Sequence, residues 1–547
     1  LLPHFRIYIS RTVWALPFGI VLAGFTPGIS FPTSFTMNAD TQSLWALNDS
    51  ARETSTLPGD LACDVCIVGS GIAGLTTAYL LLREGKRVVV VDAKPAFATG
   101  ETEHTSAHLA WYIDDTFYHL ASVRGDEVAK RAAESHRHAI GLIRDIAASE
   151  NIDCDFQQVD GYLFSAGTDG PKTIENEVRT LERLQLPFQR MQLSFPGGQS
   201  AECLRFPDHA QFHPIKYLAG LAAAIRKLGG VIHTSTVIEK VRAGSPATVT
   251  TTHGKTISAG AVVTATNNPF EGGTELHNKV AAYNTYVIAA EVPRGSVPYG
   301  LYWDTLDPYH YVRLQPGPKA GSIDYLIVGG EDHKTGQADD QPARWDRLKA
   351  WTKERYPAVV AVQYHWSGQV FETPDGLGLF GLAPWNSPNV FVMTGDSGMG
   401  LTHGTLGARL VADLVMGRPN DLASVYSPSR LMPGALRTLL GENLNMVAQF
   451  RDWVTGGDVS SPAEIPPGHG AIIRSGLTKH AVYRNEDGQV TTLSAICPHM
   501  GCLVRWNPGE KTWDCPCHGS RFSAVGTCIH GPSTADLAPV DRAETGK

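Results

Sequence analysis

The chain has 547 residues, 43% of them hydrophobic and 18% charged, with a formal net charge of −8. These values describe a globular protein of two to four domains and exclude a nucleic-acid surface, which needs a clustered excess of Lys and Arg. Nine cysteines are too few for a disulfide scaffold, yet four fall between Cys497 and Cys517 and a fifth is Cys528, a clustering that points to metal or redox chemistry.

Residues 13–32 are apolar and follow Arg6 and Arg11, as in an export signal, but Pro17, Pro27 and Pro32 interrupt them and Met37 opens a polar run. Residues 1–36 are therefore read as an extension of doubtful membership. The protein is expected to be cytoplasmic, with a membrane-bound or exported form as the alternative. No later segment offers the ~18 uninterrupted apolar residues of a membrane span.

Residues 63–69 form a short β-branched run, 72–83 have a helical pattern and 88–91 form a second strand, a βαβ unit at 62–93. Gly69, Gly71 and Gly74 fit G-x-G-x-x-G at its first turn. Gly69 allows the tight turn, Gly71 lets the backbone approach a pyrophosphate, and Gly74 permits close helix–strand packing. The helix N-terminus attracts the phosphates, and Asp92 closes the second strand where it can accept from ribose hydroxyls. NAD and FAD both suit this pattern. Cys63 and Cys66 lie within one strand, so they are expected to point to opposite faces as buried small hydrophobes, not as a redox pair; Cys154, Cys203 and Cys528 are read the same way.

Further along, residues 116–148 read as helical and 214–228 as a clear helix. Strands at 283–292, 310–314 and 325–328 are expected in one antiparallel sheet. An apolar strand at 389–394 leads through Gly-rich sequence to a helix at 406–416. Residues 431–454 are expected to be helical, and 456–470 form a Gly/Pro/Ser-rich linker.

Residues 64–92 with GETEHTSAHL at 100–109, VVTATN at 262–267, W-S-G at 366–368 with T-P-D-G at 373–376, and NVFVMTGDSGMGLTHG at 389–404 together resemble the FAD-dependent oxidoreductases of the D-amino-acid oxidase and glycine oxidase type. The resemblance covers about residues 60–420. It implies an α/β FAD-binding Rossmann-like domain within 37–430, with an antiparallel-sheet substrate subdomain inserted at about 150–365. It also implies that FAD is the dinucleotide and that Thr102, Thr105, Val237 and Ala265 join the three glycines and Asp92 around it. Gly395, Gly398, Gly400 and a helix N-terminus after Thr402 would bring N–H groups to the flavin's pyrimidine side, where reduced flavin is negative. Arg313 matches the family's substrate-carboxylate residue, with a surface salt bridge equally open. His108 and His403 are catalytic candidates by position alone. Residues 331–333 read as a solvated loop, with pocket lining as the alternative.

In the tail, Cys497, His499, Cys515 and His518 give C-x-H-x15-C-x2-H. Two loops that each donate one Cys and one His suit a Rieske [2Fe–2S] centre, in which thiolates hold one iron and imidazoles the other; zinc is the alternative use of such a set. Residues 467–540 resemble the cytochrome-complex type of Rieske domain, which implies an all-β domain at 467–547 after a helix and linker at 431–466. The same resemblance implies a disulfide between Cys502 and Cys517, a Ser520 hydroxyl bonded to the cluster, and a covering loop at 531–533. Phe522 stands where high-potential members have a Tyr. Losing a donor to sulfur places the expected potential low in the roughly −150 to +300 mV Rieske range.

A hydride acceptor joined to a one-electron carrier reads as a relay: a small-molecule amine or amino acid to FAD, then singly through the cluster to an external acceptor. A flavin oxidase using O2 directly, with a structural or regulatory cluster, is the second reading. A redox-sensing module with little turnover is the third.

Overall fold

The computed structural model describes residues 41–540 apart from 47–51, 53, 270–272, 319, 385–386, 433 and 435. The extension at 1–36, with its apolar stretch, lies outside the described residues.

The first sheet grows from the βαβ unit. Strand β1 (Leu61–Val68) pairs in parallel with β2 (Val88–Val91) and, on its other side, with Thr256–Asn267. The four consecutive valines of β2 are all buried, as a parallel strand covered on both faces requires. Helix α1 (Ile72–Arg83) lies against the helix Gly400–Val415. That second helix starts six residues earlier than its sequence pattern indicates. Gly404 and Gly407 dilute the apolar period there because the helix packs closely: an added Cβ would fall 3.1 Å from Ile72 Cγ2 and 2.8 Å from Met393 Cε respectively. Cys63 and Cys66 also depart from expectation. The N–H groups of Asp64 and Val65 both donate to Arg87 O, a local irregularity in the two-residue alternation, and both thiols enter one apolar cluster with Val68 and Val89. Burial raises the Cys63 thiol to about 11 and pushes the Cys66 thiol well above its ordinary value.

The second sheet has nine strands. Ala281–Pro293 lies between Ala361–Glu372 and Ile323–Lys334, and His310–Pro316 and Leu301–Asp304 follow outward. Residues 331–333 sit inside the strand Ile323–Lys334, which corrects their reading as a solvated loop.

The C-terminal part forms two small antiparallel sheets, His469–Ser475 with Thr478–Arg484 and Val490–Ser494, and a four-stranded one from Arg505–Asn507 to Cys528–His530. Helix Leu436–Gln449 precedes them. The segment expected as a linker is packed: Val459 bridges Ile473, and Ile465 is buried with Ala471 and Val482. Among the described residues no helix is long and apolar enough to cross a membrane.

The T-P-D-G segment earns its place through Asp375. Its carboxylate is fully buried and accepts from Arg430 Nη2 at 2.7 Å and Nε at 3.0 Å, and from Arg124. Burial alone would raise its pKa, but Arg430 and Arg124 hold it below the ordinary carboxylate range. A depressed folded-state pKa stabilises above the unfolded value near ~3.9 and is lost as pH falls through the folded one. Asp375→Asn strands two guanidiniums and is expected to cost ~3–5 kcal/mol in urea unfolding at pH 7, the difference narrowing only below about pH 4.

Candidate functional site

A cavity of about 830 Å³ runs from the β1–α1 turn to the antiparallel sheet. The turn is closed around its glycines. Gly69 has φ +108°, and a Cβ there would lie 2.3 Å from Ala265 O; a Cβ on Gly74 would lie 1.9 Å from Gly69 O. Such a cradle leaves room for a pyrophosphate and none for side chains. Asp92 Oδ2 accepts from Ser70 N–H at 2.7 Å and from Ser70 Oγ at 2.5 Å, and Oδ1 accepts from Lys94 N–H at 2.8 Å. The acidic residue thus fixes the turn as well as facing the cavity. Thr102 Oγ1 accepts from Ile72 N–H at 3.2 Å, satisfying a free donor at the start of α1.

Gly69, Gly71, Asp92, Thr102, Thr105, Val237, Ala265, Gly398, Gly400 and His108 all line this cavity. Val237 does so from the turn just before the strand Ile238–Arg242 rather than from within a strand. Gly74 serves packing, as its spacing indicates. Like Gly74, four other expected residues do not line the cavity. Gly395, with φ +67°, shapes the turn behind it. Thr402 lies inside the helix and donates to Met399 O at 3.2 Å. His403 is fully buried, its Nδ1 2.7 Å from Asp396 O and its ring against His136. Arg313 is also fully buried; it donates to Ala107 O at 2.6 Å, to Phe212 O at 3.1 Å and to Gln315. Its burial rules out a surface salt bridge; Nη1 braces the sheet to two loops, while Nε is buried without a partner among the described residues. His108 stays in the cavity wall, with Nδ1 2.9 Å from Ser106 Oγ and Nε2 3.3 Å from Val312 O. Burial, then the nearby Arg313, pushes it down to about 3, so it is neutral.

The sheet end of the cavity is formed by residues that sequence reasoning missed, together with Asp332, for which pocket lining was the alternative reading. Thr285, Asp332, Tyr311 and Trp303 come from four neighbouring strands, with Tyr309 just before one of them and Asp114 and Asp396 from loops. Asp114 lies against the glycine turn: a Cβ on Gly398 would fall 2.2 Å from its Oδ2. Burial pushes the carboxyls of Asp114, Asp332 and Asp396 up to about 7.

The cluster motif folds into two matched loops. Cys497 N–H donates to Cys502 O at 2.8 Å and Cys515 N–H to Ser520 O at 2.8 Å, while Gly501 and Gly519 N–H return to Cys497 O and Cys515 O. Cys497 and Cys515 are buried free thiols, and the rings of His499 and His518 lie 5.0 Å apart. Both ring nitrogens of His518 are buried without a partner among the described residues. The Cys497 thiol is pulled down to about 7, first by its hydrogen bond with Cys515, with Ser520 acting in the same sense. Two thiols and two unspent imidazoles facing one another suit a [2Fe–2S] group. Cys502 and Cys517 form a disulfide between the loops. The sulfurs of Cys502, Cys515 and Cys517 also crowd within 4.8 Å, but two of them are spent on that bond. Ser533 N–H donates to Ser520 Oγ at 3.0 Å, docking the covering loop.

Phe522 is fully buried in one apolar cluster with Cys497 and Cys515, and its ring has no donor for sulfur. Redox titration of Phe522→Tyr is expected to raise the potential by on the order of 50 mV, the one-electron equivalent of a ~1 kcal/mol hydrogen bond; an unchanged or lower potential would refute this.

The two centres share walls. Residues 527–531 and 533–536 line the cavity. Asn268 Nδ2 donates to His518 O at 3.1 Å and Gly531 O at 2.8 Å, and Gln369 Nε2 to Gly519 O at 2.8 Å. The His277 ring packs 4.6 Å from that of His499 and 5.7 Å from that of His518.

Residues 64–414 match the FAD dependent oxidoreductase (DAO) family and residues 457–541 the Rieske [2Fe-2S] domain. The chain is 30% identical over 510 residues to the Rieske 2Fe-2S iron-sulfur protein YhfW of Bacillus subtilis (strain 168), covering 91% of this chain and 97% of that protein. It is 26% identical over 381 residues to gamma-glutamylputrescine oxidoreductase of Escherichia coli (strain K12), 66% of this chain and 85% of that one. The crystal structure of glycine oxidase from Geobacillus kaustophilus superposes with a TM-score of 0.56 at 20% identity, over 68% of this chain and 99% of that one, a likeness of fold. The chain thus belongs to the DAO-type FAD-dependent oxidoreductases, binds FAD, and carries a C-terminal Rieske domain with its [2Fe–2S] cluster.

Proposed function

We propose that the protein is an amine or amino-acid dehydrogenase in which the substrate carbon gives a hydride to FAD, the substrate nitrogen gives its proton to solvent, and the two electrons leave singly through the [2Fe–2S] cluster to an external acceptor. The observation that carries this reading is the shared wall: the loop covering the cluster site also lines the FAD cavity, and Asn268 and Gln369 each bond a cluster loop. Electrons then need not leave the chain between the two centres.

In this reading Gly69, Gly71 and the N-terminus of α1 hold the pyrophosphate, with Asp92 at the ribose and Thr102, Thr105, Val237 and Ala265 along the cofactor. Gly398, Gly400 and the N-terminus of the helix Gly400–Val415 face the pyrimidine side. Cys497 and Cys515 hold one iron, His499 and His518 the other. His108, neutral and with both ring nitrogens engaged, orients the wall and takes no proton. The relative named for γ-glutamylputrescine supports an amine or amino acid as the substrate class.

Anaerobic stopped-flow mixing with amines, N-methyl amino acids and D-amino acids tests the relay. The flavin band is expected to bleach first and the cluster band after it in the same molecule. A cluster that stays oxidised after the flavin has bleached would refute the relay.

A further inference from the structure

The part of the cavity floored by the antiparallel sheet is acidic and aromatic. Asp332 and Asp114 line it beside Tyr309, Tyr311 and Trp303. Tyr309 O–H donates to Asp114 Oδ1 at 2.5 Å, and the Thr285 and Tyr311 hydroxyls share a bond of 2.7 Å. Asp332 Oδ1 is buried and has no hydrogen-bond partner among the described residues, while the Thr285 side chain hydrogen-bonds the Asp332 carboxyl. His310 faces Asp304 through Nδ1 at 2.9 Å, and the Nη1 groups of two arginines are committed elsewhere, although Arg313 Nε is buried without a partner among the described residues. Arg344 spends Nη1 on the backbone oxygens of Glu331 and Asp332 and Nε on Asp340, and Arg313 is turned onto Ala107 and Phe212. Among the described residues no arginine lines the cavity, and its lysine, Lys94, donates to Ile529 O at 2.5 Å. A carboxylate brought here would meet carboxyls with no guanidinium to receive it, which desolvation makes costly. An alkylammonium would find charge-assisted acceptors and aromatic faces.

We propose that this end of the cavity binds an alkylammonium group on Asp332 and Asp114 with the rings of Tyr309, Tyr311 and Trp303 around it, so that the substrate is an amine with no carboxylate beside the reacting carbon. The inference rests on the dehydrogenase reading above and narrows its substrate class.

The test uses the full-length holoprotein under anaerobic conditions. Butylamine and putrescine are expected to reduce the flavin at concentrations at least 10-fold below those at which glycine or D-alanine does. Tetramethylammonium, which cannot be oxidised, is expected to perturb the flavin absorbance, and benzoate is not. Asp332→Asn is expected to weaken the tetramethylammonium response at least 10-fold while FAD content and the cluster spectrum stay at wild-type levels, which separates lost recognition from misfolding. Reduction by amino acids as readily as by amines, or a benzoate response matching that of tetramethylammonium, overturns the inference and leaves the dehydrogenase reading standing. A tetramethylammonium response that Asp332→Asn abolishes, without reduction by any amine or amino acid, upholds the site and sinks the dehydrogenase reading. Neither response nor reduction overturns both.

Discussion

His499→Ala is expected to yield a protein without the cluster's visible and EPR signatures whose flavin is still reduced by substrate, while turnover with one-electron acceptors falls by more than about 100-fold. Losing an outer-shell partner of a metal ligand already costs 10–100-fold, and here a ligand itself is removed. The substitution is confined. His499 is half-buried, and its ring faces His518 and His277 rather than the FAD cavity. The disulfide between Cys502 and Cys517 still ties the two loops. The covering loop still docks through Ser533 N–H on Ser520 and still walls the cavity, so FAD content should be that of the wild type. Titrating FAD and iron together checks the first half, and anaerobic flavin reduction followed by a ferricyanide assay checks the second. Undiminished one-electron turnover without the cluster would remove it from the electron path. Unchanged O2-linked turnover alone would favour the direct-oxidase reading.

What was legible in the sequence is what short-range spacing encodes. The glycines of the β1–α1 turn and the Cys/His pairs of the cluster loops lie within a few residues of one another, so the pattern and the geometry coincide. The acidic end of the cavity is different. Thr285, Trp303, Tyr311 and Asp332 become neighbours only because four strands pair in a fixed register, which no local pattern records. Arg313 shows the same limit from the other side. It shares a strand face with Tyr311 under the two-residue alternation, yet the cavity ends before it, where the carbonyls of Ala107 and Phe212 close over the guanidinium. Cys63 and Cys66 fail for a third reason: the alternation rule assumes a regular strand, and at Asp64 and Val65 both N–H groups turn to the one carbonyl of Arg87. His403, placed by sequence beside the flavin, is drawn away because its ring secures the backbone of Asp396.

Gly69→Ala is expected to leave the protein with its cluster and almost without flavin. Two penalties act at this position and both are backbone in origin. The residue sits at φ +108°, where a side chain is strained by ~1–3 kcal/mol, and its Cβ would lie 2.3 Å from the carbonyl oxygen of Ala265. That oxygen belongs to the strand Thr256–Asn267, held to β1 in register from Leu61 to Val68, so it cannot retreat without opening the sheet. The turn must move instead, and the N–H groups at the start of α1 move with it. Losing one or two charge-assisted hydrogen bonds to phosphate is worth ~3 kcal/mol, about 100-fold in FAD affinity. Gly85→Ala is the matched control. Gly85 also has positive φ, +79°, but an added Cβ meets nothing within 4 Å, so it costs ~1–2 kcal/mol of strain and should bind FAD as the wild type does. Flavin absorbance per cluster EPR spin in the two purified variants is the readout. Equal flavin content in both would mean that the cofactor does not depend on this turn.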